Sequence, residues 1–327
     1  MTPSRKSVHR LLSAGLAAAC AFATAATAQP YPSKPIRMLI PYTPGGPTDL
    51  VGRAIGQRLQ TAFGQQIIVD NRSGGGGVIA VEIVAKAAPD GYTILLATPG
   101  QLVILPLLAV NLPFEPLRDF MPLTKLIDTP QVLFAFGKFP PNTVAELVPY
   151  AKQRPGQISY GSVQTGGTGH LGMELLKQAT GTDMLHVPYK GTAPALTDLI
   201  AGRIQIMFSS LPSVQPHVQA GRVKLLATGA RTRTDAIKDV PTIAETIPGF
   251  DLVTWYGMFA PRRTPAPILE RLHAELVKIL KSPEIAQTFA AQGVEPVWTT
   301  PKELETYMKA ETERWRKVIR TAGIKLE

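Results

Sequence analysis

Three short segments of the chain combine glycines with hydroxyl and other polar side chains, and each comes directly before a predicted helix. They cover residues 42–49, 161–170 and 187–192, named here the first, second and third turns. Glycine lets a ligand approach the backbone closely, and the N–H groups at the start of a helix attract negative charge. The three turns therefore indicate a binding site for a small anion.

The candidate ligand-binding residues belong to these turns and to the end of one strand. In the N-terminal part of the chain they are Tyr42, Thr43, Pro44, Gly45, Gly46, Asp49 and Thr98. In the middle of the chain they are Gly161, Ser162, Thr168, His170, Tyr189, Lys190 and Gly191. Simpler interpretations exist, because Asp49 can cap its helix without touching a ligand, Tyr189 can pack at the rim of a cleft, and Lys190 can be a solvated charge. The glycine run at residues 73–77, taken alone, is interpreted as structural.

The sequence does not contain a recognisable set of catalytic residues. The histidines beyond the N-terminal segment lack the spacing of metal ligands, and the chain contains no G-x-S-x-G motif. Ser162 and His170 could be paired as a catalytic dyad, but hydrogen bonding to a carboxylate explains both without catalysis. The second turn also lacks the Gly-Lys-Ser/Thr ending of a phosphate-binding loop. We expect no catalytic activity, no cofactor and no bound metal.

Residues 1–28 have the features of a secretory signal peptide. Basic side chains at positions 5, 6 and 10 precede an apolar run that ends in an A-x-A motif at Ala28. The run is shorter than the roughly 20 residues that span a bilayer, so a membrane anchor is the less favoured alternative. Cys20, the one cysteine of the chain, lies in this run and lacks the large aliphatic residue that usually precedes a lipid-attachment site. We predict cleavage after Ala28, which leaves a periplasmic chain without cysteine.

The charge of the chain favours a small anionic ligand. Its formal net charge is +10, and removal of the three basic signal residues leaves +7, spread without runs of like charge. A modest positive excess attracts anions over long range. Nucleic-acid binding would need clustered basic residues, and the sequence after Gln29 contains no apolar run of 18 or more residues. The mature protein is expected to be a soluble monomer that does not bind nucleic acid.

The elements that must position the turns follow an alternating pattern. The first series predicts strands at Ile36–Ile40, 67–69 and 94–97, with helices at Pro47–Phe63 and 78–88. The second series predicts strands at 132–136, 158–160, 185–187, 204–208 and 224–227, with a helix from Thr143 and helices at 170–179 and 193–201. Apolar strands that alternate with helices are typical of a parallel sheet covered on both faces.

The chain after residue 260 changes character. Helices are predicted to begin at Pro267, Pro283 and Pro301, with no strands between them. Thr300 and Glu303 form a capping box for the last helix.

Two α/β units exceed what one hydrophobic core usually holds, which predicts two lobes with the ligand cleft between them. The Pro-rich stretch 112–130 is predicted to be one crossing between the lobes, and 248–255 the other. The first lobe is then discontinuous, with residues 29–128 and 252–327, and the second lobe covers residues 129–251.

Several motifs extend this interpretation, because they occur in order over about residues 31–323. The N-terminal motifs are Pro41-Tyr42-Thr43-Pro44-Gly45-Gly46, Val69-Asp70-Asn71-Arg72 and Asp90-Gly91-Tyr92-Thr93. The later motifs are Tyr160-Gly161-Ser162, His186-Val187-Pro188-Tyr189-Lys190-Gly191, Val240-Pro241-Thr242 and Trp255-Tyr256-Gly257. Together they resemble the Bug-type (TctC-like) receptors of tripartite tricarboxylate transporters.

The resemblance implies a two-lobed periplasmic-binding-protein fold, of the Venus-flytrap type, in which each lobe is a helix-covered, mostly parallel sheet. It also implies that the first turn holds a ligand carboxylate, partly through ordered waters, and that the second and third turns complete the site. The expected partners are a small carboxylate and the membrane permease subunits of a tripartite transporter.

Two alternatives stay open, namely a receptor that presents its ligand to a membrane histidine kinase and a periplasmic hydrolase. The chain departs from the family pattern at Leu105-Pro106, at Ser209 and at residues 164–167. These departures leave the identity of the carboxylate open.

Overall fold

The computed structural model describes residues 31–324 except residues 164, 190, 234–236 and 291–293. The chain divides into two units, residues 1–33 and residues 34–327, and every element described below belongs to the second. The predicted signal peptide and its cleavage after Ala28 lie outside the described residues. Within the described part of the chain, no helix has both the length and the apolar character that crossing a membrane requires.

The strands of the described residues pair into one mixed sheet. They are β1 (Ile36–Ile40), β2 (Ile67–Asn71), β3 (Thr93–Ala97), β4 (Phe120–Phe136), β5 (Ser159–Val163), β6 (Leu185–Tyr189), β7 (Ile206–Ser210), β8 (Val223–Thr228), β9 (Val253–Pro261) and β10 (Glu295–Pro296). The strand order is β2-β1-β3-β9-β4-β7-β5-β6, and β8 and β10 also pair with β4.

The sheet has two halves that each contain a parallel core. In the first half-sheet, β1 pairs in parallel with β2 and β3. In the second half-sheet, β5 pairs in parallel with β6 and β7. The apolar runs that predicted β1, β3 and β7 are buried in the structure, because helices cover the sheet. The carboxyl ends of the parallel strands in each half lead into the turns that were singled out from the sequence.

Strand β4 joins the two halves and is longer than the sequence predicts. Its first part pairs antiparallel with β9, from Phe120 opposite Pro261 to Pro130 opposite Val253. Its last residues pair with β7 and β8 in the second half-sheet. Residues 120–130 of the predicted crossing 112–130 are thus strand, and the crossing itself stays a prediction. A register shift follows Pro122, and such an irregularity is where a strand accommodates a residue without an N–H group.

Helices cover both halves of the sheet. They are α1 (Pro47–Phe63), α2 (Val78–Ala85), α3 (Leu105–Leu108), α4 (Pro116–Asp119), α5 (Val144–Lys152), α6 (Thr168–Thr180), α7 (Thr192–Ile200), α8 (Leu211–Gln219), α9 (Ala266–Leu280), α10 (Pro283–Ala290) and α11 (Pro301–Ala322). Helix α8 was not predicted, and it contains Pro216, which obscures a helical pattern. The expectation of no strand among the C-terminal helices is wrong, because β10 lies between α10 and α11 and pairs with β4.

The last helix packs across the joint between the halves. Its capping box forms as predicted, with the Glu303 N–H donating to Thr300 Oγ1 over 3.2 Å. Its apolar side chains Trp315 and Val318 are buried in the main core. The side chain of Gln178 in α6 donates to the backbone oxygen of Val318 over 3.1 Å. Helix α11 is thus attached to the second half-sheet as well as to β4.

Candidate functional site

The first turn leaves β1 and enters α1 with its backbone shaped by two glycines. Gly45 has a φ of 81°, in the left-handed region that favours glycine. Gly46 is the N-cap of α1, with φ −79°. The Gly45 N–H donates to Asp49 Oδ2 over 2.9 Å, so a side chain from the first turn of α1 closes the loop. Thr43 and Pro44, both candidates, are exposed on this turn.

Asp49 has a structural role in this turn. Its side chain is 2% exposed, and Arg53 Nε donates to Oδ2 over 2.9 Å. Burial alone would raise the pKa of Asp49, but the hydrogen bonds from Arg53 and from the Gly45 N–H outweigh it and lower that pKa. The carboxylate is therefore charged and paired. Asp49 closes the turn through the N–H of Gly45, the residue before the N-cap, and direct ligand contact by Asp49 stays a prediction.

A hydrogen-bonded network holds Tyr42 against the end of β3. The Tyr42 hydroxyl lies 2.8 Å from Thr98 Oγ1. Gln101, which the sequence analysis missed, donates from Nε2 to the Tyr42 hydroxyl over 3.0 Å and accepts at Oε1 from the Thr98 hydroxyl over 2.9 Å. Thr98 and Gln101 are each 3% exposed. Burial raises the pKa of Tyr42, so the phenol is neutral.

The glycine run at residues 73–77 belongs to the same network. Gln101 Nε2 also donates to the backbone oxygen of Gly76 over 3.3 Å. A Cβ at Gly77 would lie 2.8 Å from Gln101 Cγ and 2.9 Å from Pro41 Cβ, which is too close. The run is therefore a packing surface for the base of the first turn, as the structural interpretation expects.

The second turn leaves β5 and enters α6 with the same backbone device as the first. Gly166 has a φ of 77°, and Gly167 is the N-cap of α6. The Gly166 N–H donates to Nδ1 of His170, four residues on, over 2.9 Å. Thr168 is the first residue of the helix. Because Nδ1 accepts this bond, the neutral ring of His170 carries its proton on Nε2.

His170 and His186 form a stacked pair beneath the second turn. Their ring centroids are 3.8 Å apart with an angle of 6° between the planes, and Tyr160 stacks on His186 at 5.0 Å. Burial, together with the charge that His170 would carry, lowers the pKa of His186 to about 4. Burial also lowers the pKa of His170. Both imidazoles are therefore neutral near pH 7.

Ser162 is fully buried, and its hydroxyl lies 2.7 Å from His186 Nε2. His170, the partner considered for Ser162 in the sequence analysis, accepts from the Gly166 N–H at Nδ1, and its pairing with Ser162 stays untested. Gly161 is also buried, since a Cβ there would overlap the side chain of Ile204. Glu174, the acid nearest this cluster, accepts from the Tyr160 hydroxyl over 2.6 Å instead of orienting either imidazole.

The third turn follows β6 and precedes α7. The Tyr189 hydroxyl donates to Asp198 Oδ2 over 2.9 Å, and burial, with that bond, raises the pKa of Tyr189 to about 12. Gly191 is the N-cap of α7 in an extended conformation. Lys190 lies outside the described residues. The hydroxyl of Tyr189 thus supports α7, which favours its interpretation as a packing residue at the rim.

The two halves of the site meet through Leu108, a residue that was not among the candidates. Leu108 ends α3, which follows β3, and a Cβ at Gly166 would overlap its Cδ1 atom. The second turn therefore lies directly against α3. On one side of this contact Tyr42 and Thr98 bind Gln101, and on the other the Gly166 N–H binds His170.

The other two histidines of the described residues, His217 and His273, lie on α8 and α9. His273 Nδ1 is 2.8 Å from the backbone oxygen of Leu123 in β4. Within the described residues, no cluster of histidine, cysteine or acidic side chains has the arrangement of a metal site. The site therefore consists of backbone N–H groups, hydroxyls, an amide and neutral imidazoles, which together suit hydrogen bonding to an anion.

This chain is similar to known proteins in both sequence and fold. Residues 51–324 match the model of the family described as tripartite tricarboxylate transporter family receptor. Protein BugT of Bordetella pertussis is 34% identical over 312 residues, which are 95% of this chain and 96% of BugT.

Two solved structures are similar over most of their length. One is an R. palustris protein with adipate, at 37% identity and a TM-score of 0.82, covering 90% of this chain and 99% of that chain. The other is the periplasmic binding protein BugD, at 33% identity and a TM-score of 0.77, covering 91% of this chain and 100% of that chain. The predicted two-lobed periplasmic-binding-protein fold is confirmed, and its lobe boundaries stay predictions.

Proposed function

Since the chain belongs to the tripartite tricarboxylate transporter family of receptors, we propose that it binds a small carboxylate in the cleft between its two lobes. We further propose that it delivers this ligand to the membrane permease of a tripartite transporter. Export through residues 1–28, with cleavage after Ala28, is part of the same proposal, and the similar protein BugD is periplasmic.

The observation that carries this proposal is a backbone arrangement that the first and second turns share. In each turn a glycine with positive φ is followed by an N-cap glycine, and a side chain from the first helical turn binds back to the first glycine. The N–H groups at the start of an α-helix have no acceptor within the helix. Helices α1 and α6 therefore offer donors to an anion, and the helix dipole adds to the attraction.

The chemistry of the second turn supports binding without catalysis. His186 lies 2.7 Å from Ser162 Oγ, as a general base would. However, its ring is stacked on a second imidazole and its pKa is lowered to about 4, which makes it a weak base near pH 7. Glu174 is paired with Lys177 over 2.7 Å, so it does not form the third member of a triad.

Transport is favoured over sensing by the family to which the chain belongs. A receptor that presents its ligand to a membrane histidine kinase would use the same binding chemistry. Permease genes beside the gene for this protein would support transport, and a histidine kinase gene there would support sensing.

The proposal is tested by comparing organic acids with their neutral amides. A panel of mono-, di- and tricarboxylates is screened by thermal unfolding, since a ligand at a hundred times its Kd adds about 2.7 kcal/mol of apparent stability. We expect the amide of the best acid to bind at least about tenfold more weakly by calorimetry, because hydrogen bonds to a charged group contribute about 1.5–3 kcal/mol each. Equal affinity of acid and amide would contradict a carboxylate site.

The variant Gly46→Val tests whether the ligand binds at the first turn. The φ of Gly46, −79°, accepts a side chain without strain, and a Cβ would lie 3.6 Å from the Thr43 backbone oxygen, an ordinary contact. We therefore expect the variant to fold and to lose binding, because its side chain fills the space beside the N–H groups of α1. Wild-type affinity in this variant would place the site elsewhere.

A further inference from the structure

We propose that the cleft selects carboxylates with an apolar body, of alkyl type, over hydroxylated acids and amino acids of the same length. This inference rests on the proposed function, since it concerns the part of the ligand between the carboxylate and the far wall of the cleft. Two observations support it: one face of α3 carries apolar side chains, and the acidic side chains around the turns form ion pairs with basic side chains.

Helix α3 presents two leucines to the glycine loops on either side of the cleft. Leu105 and Leu108 are three residues apart and so lie on the same face of the helix. Leu105 Cδ1 lies 3.8 Å from the position that a Cβ at Gly76 would take, in the glycine run that follows β2. Leu108 contacts Gly166, in the second turn. This pair of side chains, which we call the leucine face, is only partly buried and joins the two loops.

The leucine face lies beside the proposed carboxylate site. Gln101, four residues before α3, binds both the Tyr42 hydroxyl and the Gly76 backbone oxygen. The first turn, the glycine run and α3 are thereby held together. A ligand that extends from the N–H groups of α1 toward those of α6 therefore passes along Leu105 and Leu108.

The acids around the turns leave no charge for a ligand ammonium group. Asp49 is paired with Arg53 at 2.9 Å. Glu174 is paired with Lys177 at 2.7 Å, and Asp198 with Arg203 at 2.8 Å. Each of these three acids thus has a cationic partner; Asp49 Oδ1 is buried without a hydrogen bond, and it shares its charge with Oδ2, which Arg53 binds. An amino acid would have to bury its ammonium group without an acidic partner, which is unfavourable.

Hydroxyl groups on the ligand meet the same difficulty at the leucine face. A hydroxyl that contacts leucine methyl groups loses its hydrogen bonds to water and gains none in return. A methylene at the same place removes apolar surface from water on both partners. The expected discrimination is about tenfold or more between acids of equal charge and length, since one methylene-sized change in an apolar pocket gives about 10- to 200-fold.

Two matched pairs of acids test this inference. Adipate and galactarate share a six-carbon chain and two carboxylates, and they differ in the hydroxyls of galactarate. Hexanoate and gluconate are the corresponding pair with one carboxylate. In whichever pair binds, calorimetry should give the apolar member an affinity at least about tenfold higher, and 2-aminoadipate should bind at least about tenfold more weakly than adipate.

Variants of α3 link the preference to the leucine face. Leu108→Asn should reduce the preference for the apolar acid by about fivefold, and Leu108→Met should retain it. If Leu108→Asn shows no cooperative transition in thermal denaturation, and is therefore not folded, Leu105→Ser provides a second test. An unchanged preference in the folded polar variants would overturn the inference.

The outcomes separate this inference from the proposed function. If galactarate or gluconate binds as tightly as its apolar partner, or if only hydroxylated acids from a wider panel bind, the receptor proposal stands and the apolar preference is wrong. If no carboxylate binds, the proposed function is wrong and this inference is wrong with it.

Discussion

At the scale of single residues, Gln101 links the first turn, the end of β3 and the glycine run. Its side-chain amide binds Tyr42, Thr98 and the backbone of Gly76, and so uses both its donor and its acceptor. The side chain is 3% exposed, so a change at this position leaves buried polar groups without partners. Gln101 therefore positions the first turn without being proposed to touch the ligand.

Gln101→Leu should destabilise the protein and weaken ligand binding. We expect the free energy of unfolding to fall by about 1–3 kcal/mol, because the Tyr42 hydroxyl and the Gly76 oxygen lose a buried partner. Urea unfolding measures the loss, and calorimetry with the best acid of the panel measures binding. Gln57→Leu, at an exposed position of α1, is the control and should leave both unchanged. Equal effects of the two variants would show that the network does not hold the turn.

The stacked histidines give the fold a pH dependence whose sign follows from their pKa values. The pKa of His186 is lowered to about 4 in the folded protein, whereas an unfolded histidine titrates near about 6.5. Between these values the unfolded chain binds a proton that the folded chain does not, so the free energy of unfolding falls as the pH drops from about 6.5 to about 4. Above about 6.5 this contribution to stability is fully present.

Thermal unfolding of the wild type and of His186→Gln between pH 7.5 and pH 4 checks this expectation. Glutamine can still reach Ser162 but does not titrate, so the variant should be less stable at pH 7.5 and should lose less stability on acidification. The slope should not vanish, because the pKa of His170 is lowered as well. Parallel curves for the two proteins would show that His186 does not titrate in this window.

At the scale of helices and strands, local signals were predicted correctly and long-range pairing was not. The starts of α1 at Pro47 and of α5 at Thr143, and the capping box at Thr300, follow from a few adjacent residues, and the structure confirms all three. Strand β4 was predicted at less than half its length, because Pro122 and Pro130 are poor strand signals on their own. Its pairing with β9, more than 100 residues later in the chain, overrides that local preference.

The candidate site shows the same division. The glycine turns could be found from sequence because glycine, hydroxyls and a following helix form a local pattern. Gln101 and Leu108 could not, since they act through contacts with Gly76 and Gly166 that lie far away in the chain. The roles of Asp49 and Tyr189 needed the structure too, because a side chain that supports a helix and one that binds a ligand look alike in sequence.

At the scale of the whole molecule, two kinds of contact join the halves of the sheet. Strands β4 and β9 run antiparallel across the joint, and α11 packs over them with Trp255 Nε1 donating to Glu311 Oε2 over 2.5 Å. The contact of Leu108 with Gly166 is different, because it joins two loops rather than two strands. Any movement that opens the cleft must break this loop contact, whereas the strand pairs can persist.

Gly166→Ala should therefore oppose closure of the cleft as well as destabilise the fold. The φ of 77° costs an alanine about 1–2 kcal/mol, and its Cβ would overlap Leu108. Ligand binding should weaken by more than about tenfold, because the closed form must accommodate the overlap. Calorimetry with the best acid measures the affinity. Small-angle X-ray scattering with that acid present measures the radius of gyration, which should be larger for Gly166→Ala than for the wild type.

Gly181→Ala separates the effect on closure from the effect on backbone conformation. Gly181 ends the same helix, α6, with a φ of 65°, and a Cβ there meets no described atom within 4 Å. Its alanine variant should lose similar stability and keep wild-type affinity and size. Adding Leu108→Ala to Gly166→Ala should restore part of the affinity, since it removes the atoms that overlap. If Gly166→Ala and Gly181→Ala bind the acid equally well, the contact between Leu108 and residue 166 does not affect closure of the cleft. The first and second turns then bind the ligand independently of this contact.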